Sequence, residues 1–566
     1  MAPAAAAARW QLPAPVAVDR LVPRVPPPVA QFLIRRGIDT PQKLDAFLNP
    51  PHRLPYDPLR LPGMDAAIRR LYKAVNGKER IGIFGDFDVD GITGTAIIAE
   101  GLSTLGVAVT PYLPHRVDEG HGLSKDAVDQ LVGEGVSLII TVDTGITAFD
   151  EVAHAKTRGA DVIITDHHLP HEGLPDAIAA INPKLPGGTY PFYDLCGAGL
   201  GFKVVQGLYE FYGQPWNPNL MELAALGTIS DLVPMLDENR YLVSEGIRLM
   251  SKTERPGLQA LYSSARILPE EIDGDTISFQ IAPRLNSAGR MGHPIDSLRL
   301  LTTNSHEEAE ELSHKLEALN LERREATQQA YDLACERVEA MAYLPAMLIV
   351  ADETIPRGVA GLVAGRLSDR FRRPAVVMAV EEEIAVASAR SIPEFNIADA
   401  ISASQDLLVR FGGHSQAAGF TVPRRSIPEL TTRLDAYTAE ILATEDLAPA
   451  MDIDAVVSLA ELTSEVMDWI STLAPYGPEN RRPLFASMGV AVRECRVIGY
   501  MQQHLRLLVE QDGVALVALA FNQAQFRDPE VNRLDLAYSL IYDSWKGNKT
   551  MALRVSQFRP AQRHDN

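Results

Sequence analysis

The chain has 566 residues, which at roughly 150 residues per domain implies three or four domains. Hydrophobic residues make up 46% and charged residues 22%, a globular composition that excludes disorder along the whole length. With 53 basic against 73 acidic residues the net charge is −20. That excludes a uniformly basic nucleic-acid binder but leaves room for a local basic groove, or for acids gathered around metal.

Residues 1–28, ending in VPRVPPP, read as a flexible arm. The start lacks the basic segment and apolar core of a signal peptide. Two short helices are predicted at VAQFLIRRG and TPQKLDAFLNP, with Thr40 as N-cap of the second. From about residue 65 helices and strands alternate. The helix MDAAIRRLYKAV precedes the strand Ile81–Gly85. Then come TAIIAEGLSTLG, the strand Val107–Leu113, KDAVDQLVGEG, the strand Ser137–Val142, FDEVAHAKTRG and the strand Ala160–Thr165. This alternation predicts a parallel, doubly wound α/β sheet.

A long helix is predicted over Ser305–Met341, with Leu312, Leu316, Leu319, Ala326, Ala330 and Leu333 on one apolar face. At 1.5 Å per residue it would span about 50 Å, the length of a connector between domains. A second, smaller α/β region follows. MLIVA and AVVMAV flank the helix GVAGLVAGRLSDRF, IAVASA adds a strand, and the region ends near Pro449. Beyond residue 450 short strands dominate, with Gln511-Asp512-Gly513 as a turn. Many short strands need closure to remove their edges, so this end is expected to be a β-barrel. The expected division is 1–55, 56–300, 301–343, 344–450 and 451–566.

Cys196, Cys335 and Cys495 are too far apart for a disulfide framework and form no CxxC pair, which fits a reduced, intracellular setting. No apolar run reaches the roughly 18 residues of a membrane helix.

The acidic residues fall where chemistry is expected. IGIFG runs into Asp86, Asp88, Asp90 and Gly91, SLIITV into Asp143, and ADVIIT into Asp166, His167 and His168. Ligands of open α/β sheets bind at the carboxyl ends of the strands, so these residues should converge. An oxygen-rich set with imidazole and no thiolate suits Mn²⁺ or Mg²⁺. Crowded carboxylates repel unless cations lie between them, and paired ions about 3.5–4 Å apart serve phosphoryl chemistry. A single strand-end Asp is more often a helix N-cap. An EF-hand loop would need Glu at its twelfth position, where Ile97 stands. Three such strand ends together favour the metal site.

These residues resemble the motifs of the DHH phosphoesterases. Asp86-x-Asp88-x-Asp90-Gly91 is similar to the first motif, Asp143 to the second, Asp166-His167-His168 to the third and Gly227-Thr228-Ile229-Ser230-Asp231 to the fourth. The segment 412–419, GGHSQAAG, resembles the GGH motif of the companion DHHA1 domain. Within the family, chain length, APRLNSAGRMG (282–292) and the β-rich end are most similar to the RecJ branch of bacterial single-strand exonucleases.

The resemblance implies a DHH catalytic domain, a DHHA1-like substrate domain and an OB-like barrel for single strands. It also implies two divalent cations, Mn²⁺ or Mg²⁺. One would be held by Asp88 and Asp143 with Asp86, the other by Asp90, Asp143, His167 and Asp231. His168 would face the scissile phosphate, and Asp166 would fix an imidazole. Phe84 stands where related pyrophosphatases carry a ligating His. In Ile355-Pro356-Arg357-Gly358 the Trp-His of relatives is missing.

Phosphates need guanidinium forks, amides or hydroxyls. Arg116, Arg284, Arg290, Ser388, Arg390 and His414 lie near the motifs, and the resemblance gives Arg116, Arg290, Ser388 and Arg390 a 5′-terminal phosphate. Residues 481–566 carry 12 basic against 8 acidic residues. There Arg481, Arg482, Arg493, Arg496 and Arg506 interleave with Phe485, Phe521 and Trp545, the composition of a single-strand groove.

The expected activity is metal-dependent 5′→3′ exonuclease action on single-stranded DNA, releasing mononucleotides, in DNA repair and recombination. By resemblance a single-strand-binding protein and a helicase are partners, and the setting is a monomer in the cytoplasm, at the nucleoid, without membrane. One rival is a DHH phosphatase of nanoRNA, cyclic dinucleotides or pyrophosphate, which the β-rich end disfavours. The other is a non-catalytic DHH scaffold, which intact Asp88, Asp90, Asp143, His167 and Asp231 disfavour.

Overall fold

Five strands lie side by side in the order Val109–Tyr112, Arg80–Gly85, Val136–Val142, Asp161–Thr165 and Ala179–Ile181, and all are parallel. The computed structural model describes residues 9–561 apart from 15, 17, 19–20, 22–23, 50–54, 171–172, 446, 448–449, 500–501, 529 and 544–549. Ile81, Ile83, Ile139, Ile140, Ile163 and Ile164 are buried, the near-continuous apolar runs of a sheet covered on both faces. Each such side chain contributes about 1.5–3 kcal/mol through burial. The fifth strand, Ala179–Ile181, was not evident from the sequence.

The helix after the first strand runs Val89–Thr104 and begins six residues earlier than TAIIAEGLSTLG suggests. Asp88 caps it, accepting from Asp90 N at 2.9 Å and Gly91 N at 3.3 Å. The helix is packed between Gly197–Phe211 and Leu220–Ser230, so Gly91 and Gly94 are tolerated by burial rather than by propensity.

The long helix spans His306–Glu339, with the Ser305 hydroxyl accepting from Glu308 N at 3.3 Å. Its first half packs on the helices Pro256–Ala265 and Ala282–Met291, its second half on Arg357–Phe371. Leu312, Leu316 and Ala330 are buried, whereas Leu319, Ala326 and Leu333 are half-buried.

The second sheet has the order Arg410–His414, Ala417–Pro423, Ile384–Arg390, Ala375–Val380 and Leu348–Asp352, and only the last two strands are parallel. The Gly-Gly-His segment is therefore a strand end. Gly413 has φ +151°, and a Cβ there would lie 2.4 Å from Ala418 Cα. Glycine thus allows the close cross-strand approach that its low strand propensity conceals.

Residues 55–234 and 238–447 form one compact unit, and the described residues within 7–54, 235–237 and 448–566 form another. In the second unit Phe485–Ile498, His504–Gln511, Val514–Ala520, Thr550–Pro560 and Arg533–Asp543 pair in that order, and the last pairs back with the first. This closed barrel has no free edge. Asp512 and Gly513, with φ 52° and 79°, form the predicted turn.

The helices Pro27–Arg35 and Pro41–Leu48 are present, and Thr40 caps the second, accepting from Lys43 N at 3.2 Å. Val29, Phe32 and Leu33 join the barrel's core. The N-terminal arm corrects the reading of a free tether. Arg9–Gln11 pairs in parallel with Ala450–Asp452, and Trp10 is buried with Nε1 donating to Gln557 at 2.5 Å. Leu21 and Val25 are buried too, so apolar anchors override the Ala/Pro-rich composition. Residues 1–8 of the arm lie outside the described residues. Among the described residues no helix is long and apolar enough to cross a membrane.

Candidate metal centre

Each of the three central strands hands its ladder to an acidic residue. Asp86 N donates to Val142 O at 3.2 Å, Asp143 N to Thr165 O at 3.0 Å and Asp166 N to Ile181 O at 3.1 Å. The carboxyl groups are thereby set side by side at the point where the strand order reverses. Asp143 holds this place with φ 61°, a left-handed conformation costing an L-residue roughly 1–2 kcal/mol.

Ligand atoms of Asp86, Asp88 and Asp143 lie within 4.8 Å of one another, and so do those of Asp90, His167 and Asp231. Between the two groups His167 Nε2 is 2.9 Å from Asp143 Oδ1, 3.6 Å from Asp231 Oδ2 and 3.8 Å from Asp90 Oδ2. Asp90 is aimed by backbone: Gly197 N donates to Oδ2 at 2.6 Å and Ala198 N to Oδ1 at 2.8 Å.

Burial and like-charged neighbours push these acids up. Asp90 rises to about 6 through burial and Asp88, and Asp231 to about 9 through burial, Asp90 and Asp88. Burial and then Asp90, Asp88, Asp86 and Asp231 hold Asp143 well above the carboxylate range. Asp86 Oδ1 and His167 Nδ1 are buried without a hydrogen-bond partner. Convergent carboxylates that cannot all ionise together, with imidazole and no thiolate ligand, fit divalent cations of the Mn²⁺ or Mg²⁺ kind.

Asp166 accepts from Ile146 N at 2.9 Å and, through Oδ1, meets His168 Nδ1 at 2.7 Å. The imidazole it orients is therefore that of His168, whose pKa this bond raises against the effect of burial. The His168 ring lies nearly parallel to that of His414, with centroids 6.2 Å apart and planes at 10°.

Sequence reasoning missed four contributors: Gly197, Ala198, His121, whose Nδ1 is 3.2 Å from Asp86 Oδ2, and Asn286, which accepts from Val89 N at 3.2 Å. All come from distant segments. Only the glycines flanking His121 hinted at a tight loop there.

Arg290 donates to Gly358 O at 3.1 Å. Burial, with Arg116, Arg323 and Arg390 nearby, lowers it to about 9. Arg116 lies over the Phe87 ring, 4.5 Å from its centroid. A Cβ at Gly361 would meet Arg390 at 3.2 Å and Ser388 Oγ at 3.5 Å. Arg116, Arg290 and Arg390 thus gather, with Asp86 and Asp88 as the acids that act on Arg116 and Asp88 on Arg290. Arg284 stands apart, forked onto Glu317 at 2.5 and 3.3 Å. Arg357, in the place of the missing His, pairs with Glu381.

In the barrel Arg493 is forked onto Glu510 at 2.9 and 3.1 Å, and Arg496 pairs with Glu494 at 2.9 Å. Arg506 lies opposite Arg496, Arg482 stacks 4.8 Å over Tyr476, and Arg481 offers its carbonyl to Arg36. Phe485 is core and not a stacking platform, being fully buried beside Tyr538. Phe521 is half exposed, edge-on to His504. Trp545 lies outside the described residues.

Residues 80–228 match the DHH family, N-terminal domain, residues 342–440 the DHHA1 domain and residues 453–557 the RecJ OB domain. The chain is 36% identical over 535 residues to the single-stranded-DNA-specific exonuclease RecJ of Bacillus subtilis, covering 94% of this chain and 68% of that protein. It is 33% identical over 563 residues to that of Escherichia coli, covering 95% and 96%. The crystal structure of RecJ in complex with Mn²⁺ from Thermus thermophilus superposes with a TM-score of 0.84 at 28% identity, over 98% of this chain and 80% of that one. The Mg²⁺ complex gives 0.78 at 27% identity, over 98% and 79%. Motifs, geometry and relatives agree, and the chain belongs to the RecJ family of DHH proteins.

Proposed function

We propose that this protein is a single-stranded-DNA-specific exonuclease that works from the 5′ end and releases mononucleotides by phosphodiester hydrolysis. The observation that carries this is the meeting of Asp86, Asp88, Asp90, Asp143 and His167, from the segments that follow adjacent parallel strands, with Asp231, which ends the helix Leu220–Ser230, next to a cluster of arginines. The relatives named above act on single-stranded DNA by name.

Asp88 and Asp143, with Asp86, would hold one cation, and Asp90, Asp143, His167 and Asp231 would hold the other. Bound there, the ions supply Lewis-acid stabilisation of charge at phosphorus and a lowered pKa for water. His168 receives its aim from Asp166. With Nδ1 engaged by that carboxylate, Nε2 is left to donate to an oxygen of the scissile phosphate. Arg116, Arg290, Ser388 and Arg390 hold the strand's 5′-terminal phosphate, which sets polarity, and His414, whose ring lies parallel to that of His168, contacts the substrate there. In the barrel Arg481, Arg482, Arg493, Arg496 and Arg506 are the strand contacts, of which Arg493 and Arg496 are held by carboxylate partners. The setting is DNA repair and recombination in the cytoplasm as a monomer, with a single-strand-binding protein and a helicase supplying accessible ends.

Digestion of 5′- and 3′-labelled single strands with Mn²⁺ or Mg²⁺ tests this, with early release of the 5′ label expected. Asp143→Ala should abolish cleavage and leave DNA binding largely intact. Normal cleavage by that variant would sink the assignment, and equal turnover of a dinucleotide and a long strand would favour a small-substrate phosphatase.

A further inference from the structure

We propose that a stretch of single-stranded DNA also lies in a cleft of about 510 Å³ across the middle of the long helix, with Phe279 as the stacking platform for a base. The cleft is lined by Phe279, Arg323, Arg324, Thr327, Arg366 and Arg390 among others.

Phe279 is 70% exposed, more than almost any other large apolar side chain described. It sits in the π-helical turn Ile277–Ile281, ahead of the helix Ala282–Met291. Such turns are rare and concentrate at functional sites. The backbone of Phe279 is held in that turn, and the ring is left largely exposed.

The walls are basic, and of the lining arginines Arg284 is the one with a carboxylate partner among the described residues. Among the described residues no carboxylate lies within ion-pair distance of Arg323, Arg324 or Arg366. Arg366 donates only to the neutral amide of Gln328, at 3.2 Å. Arg323 donates to Asn320 Oδ1 at 2.9 Å, while its Nε is buried without a partner. Burial, then Arg324, Arg366 and Arg284, lowers the pKa of Arg323. These guanidinia repel one another until an anion joins them. Asp369 is the one acid in the lining, and Glu317 is committed to Arg284.

Several phosphate-binding guanidinia beside one exposed aromatic ring match a single strand. A duplex stacks its bases internally and offers none to Phe279, and inorganic phosphate has no use for the ring. Arg390 belongs to this cleft and to the cluster assigned above to the terminal phosphate, so the two are continuous. The inference deepens the exonuclease reading and rests on it for the nature of the strand. Its test is binding without cleavage, so the two can fail separately.

Fluorescence anisotropy of a labelled oligothymidine is measured with the full chain in chelator across a salt series. For single strands the log–log salt slope falls by about 0.7 for each phosphate left without its cationic partner, so Arg366→Gln and Arg324→Gln should each flatten it by that amount. Phe279→Ala should weaken binding about tenfold, and Phe279→Trp should restore it. A duplex of the same length should respond to none of the Phe279 changes. All three side chains point to solvent, so the variants should fold, as far-UV circular dichroism would check. Unchanged slopes, or equal losses for Ala and Trp at 279, would overturn the proposal.

Discussion

Gly197 and Asp90 are locked together: the Gly197 backbone N–H donates to Asp90 Oδ2 at 2.6 Å, and a Cβ at 197 would stand 2.5 Å from Asp143 Cβ. The neighbour is a packed side-chain stem beside backbone, so it has little room to yield. Gly197→Ala should therefore displace both carboxylates. We expect cleavage to fall about 10–100-fold, as when groups that orient metal ligands are lost, with weaker Mn²⁺ binding by calorimetry. Wild-type metal affinity in this variant would contradict the account.

Asp166 and His168 make a second test. Asp166→Asn keeps the shape but removes the charge that raises the His168 pKa. Cleavage should fall about a hundredfold. Because His168 then loses its proton at lower pH, the alkaline limb of the rate profile should also move to lower pH. A profile of unchanged shape would mean that His168 does not donate.

The crowded acids couple metal to stability. Asp90 is pushed up to about 6 and Asp231 to about 9 by burial and neighbouring carboxylates, whereas the unfolded chain releases these protons near pH 4. At these two acids the metal-free folded protein binds more protons than the unfolded one, so their contribution to stability falls as pH rises from about 4 to about 9. Cations that replace those protons remove the loss. The gap in Tm between Mn²⁺-loaded and chelated protein should widen between about pH 6 and pH 9. A constant gap in differential scanning fluorimetry would refute this.

Lys203 and Glu238 are fully buried 3.0 Å apart, with Gln206 Oε1 2.7 Å from the ammonium and Tyr56 N donating to Glu238 at 3.0 Å. Glu238→Gln leaves a buried ammonium uncompensated and should cost about 3–5 kcal/mol in urea unfolding. A loss below about 1 kcal/mol would show that the pair contributes little.

Much of the site was legible because strand periodicity marks where each apolar run stops, and Asp86, Asp143 and Asp166 stand at those stops. Their convergence follows from parallel pairing alone. Other features depend on tertiary contacts that leave no local trace. The φ of Asp143, the amides of Gly197 and Ala198 and the approach of His121 are set by segments that meet only in the fold. The strand Arg9–Gln11 was hidden for the same reason: its partner, Ala450–Asp452, is more than four hundred residues away. Arg284 and Arg493 read as free cations because the sequence does not show that Glu317 and Glu510 face them.

The helix His306–Glu339 lays its first half on helices of the parallel-sheet region and gives its second half, through Ala330, Ala334, Cys335 and Val338, to the core beneath the second sheet. One unbroken hydrogen-bonded rod thus serves two cores, and neither core can melt without stripping half of the rod from its packing. Residues 55–447 should lose their structure in a single calorimetric transition, and the spacing between the two sheets is held by a helix rather than by a hinge.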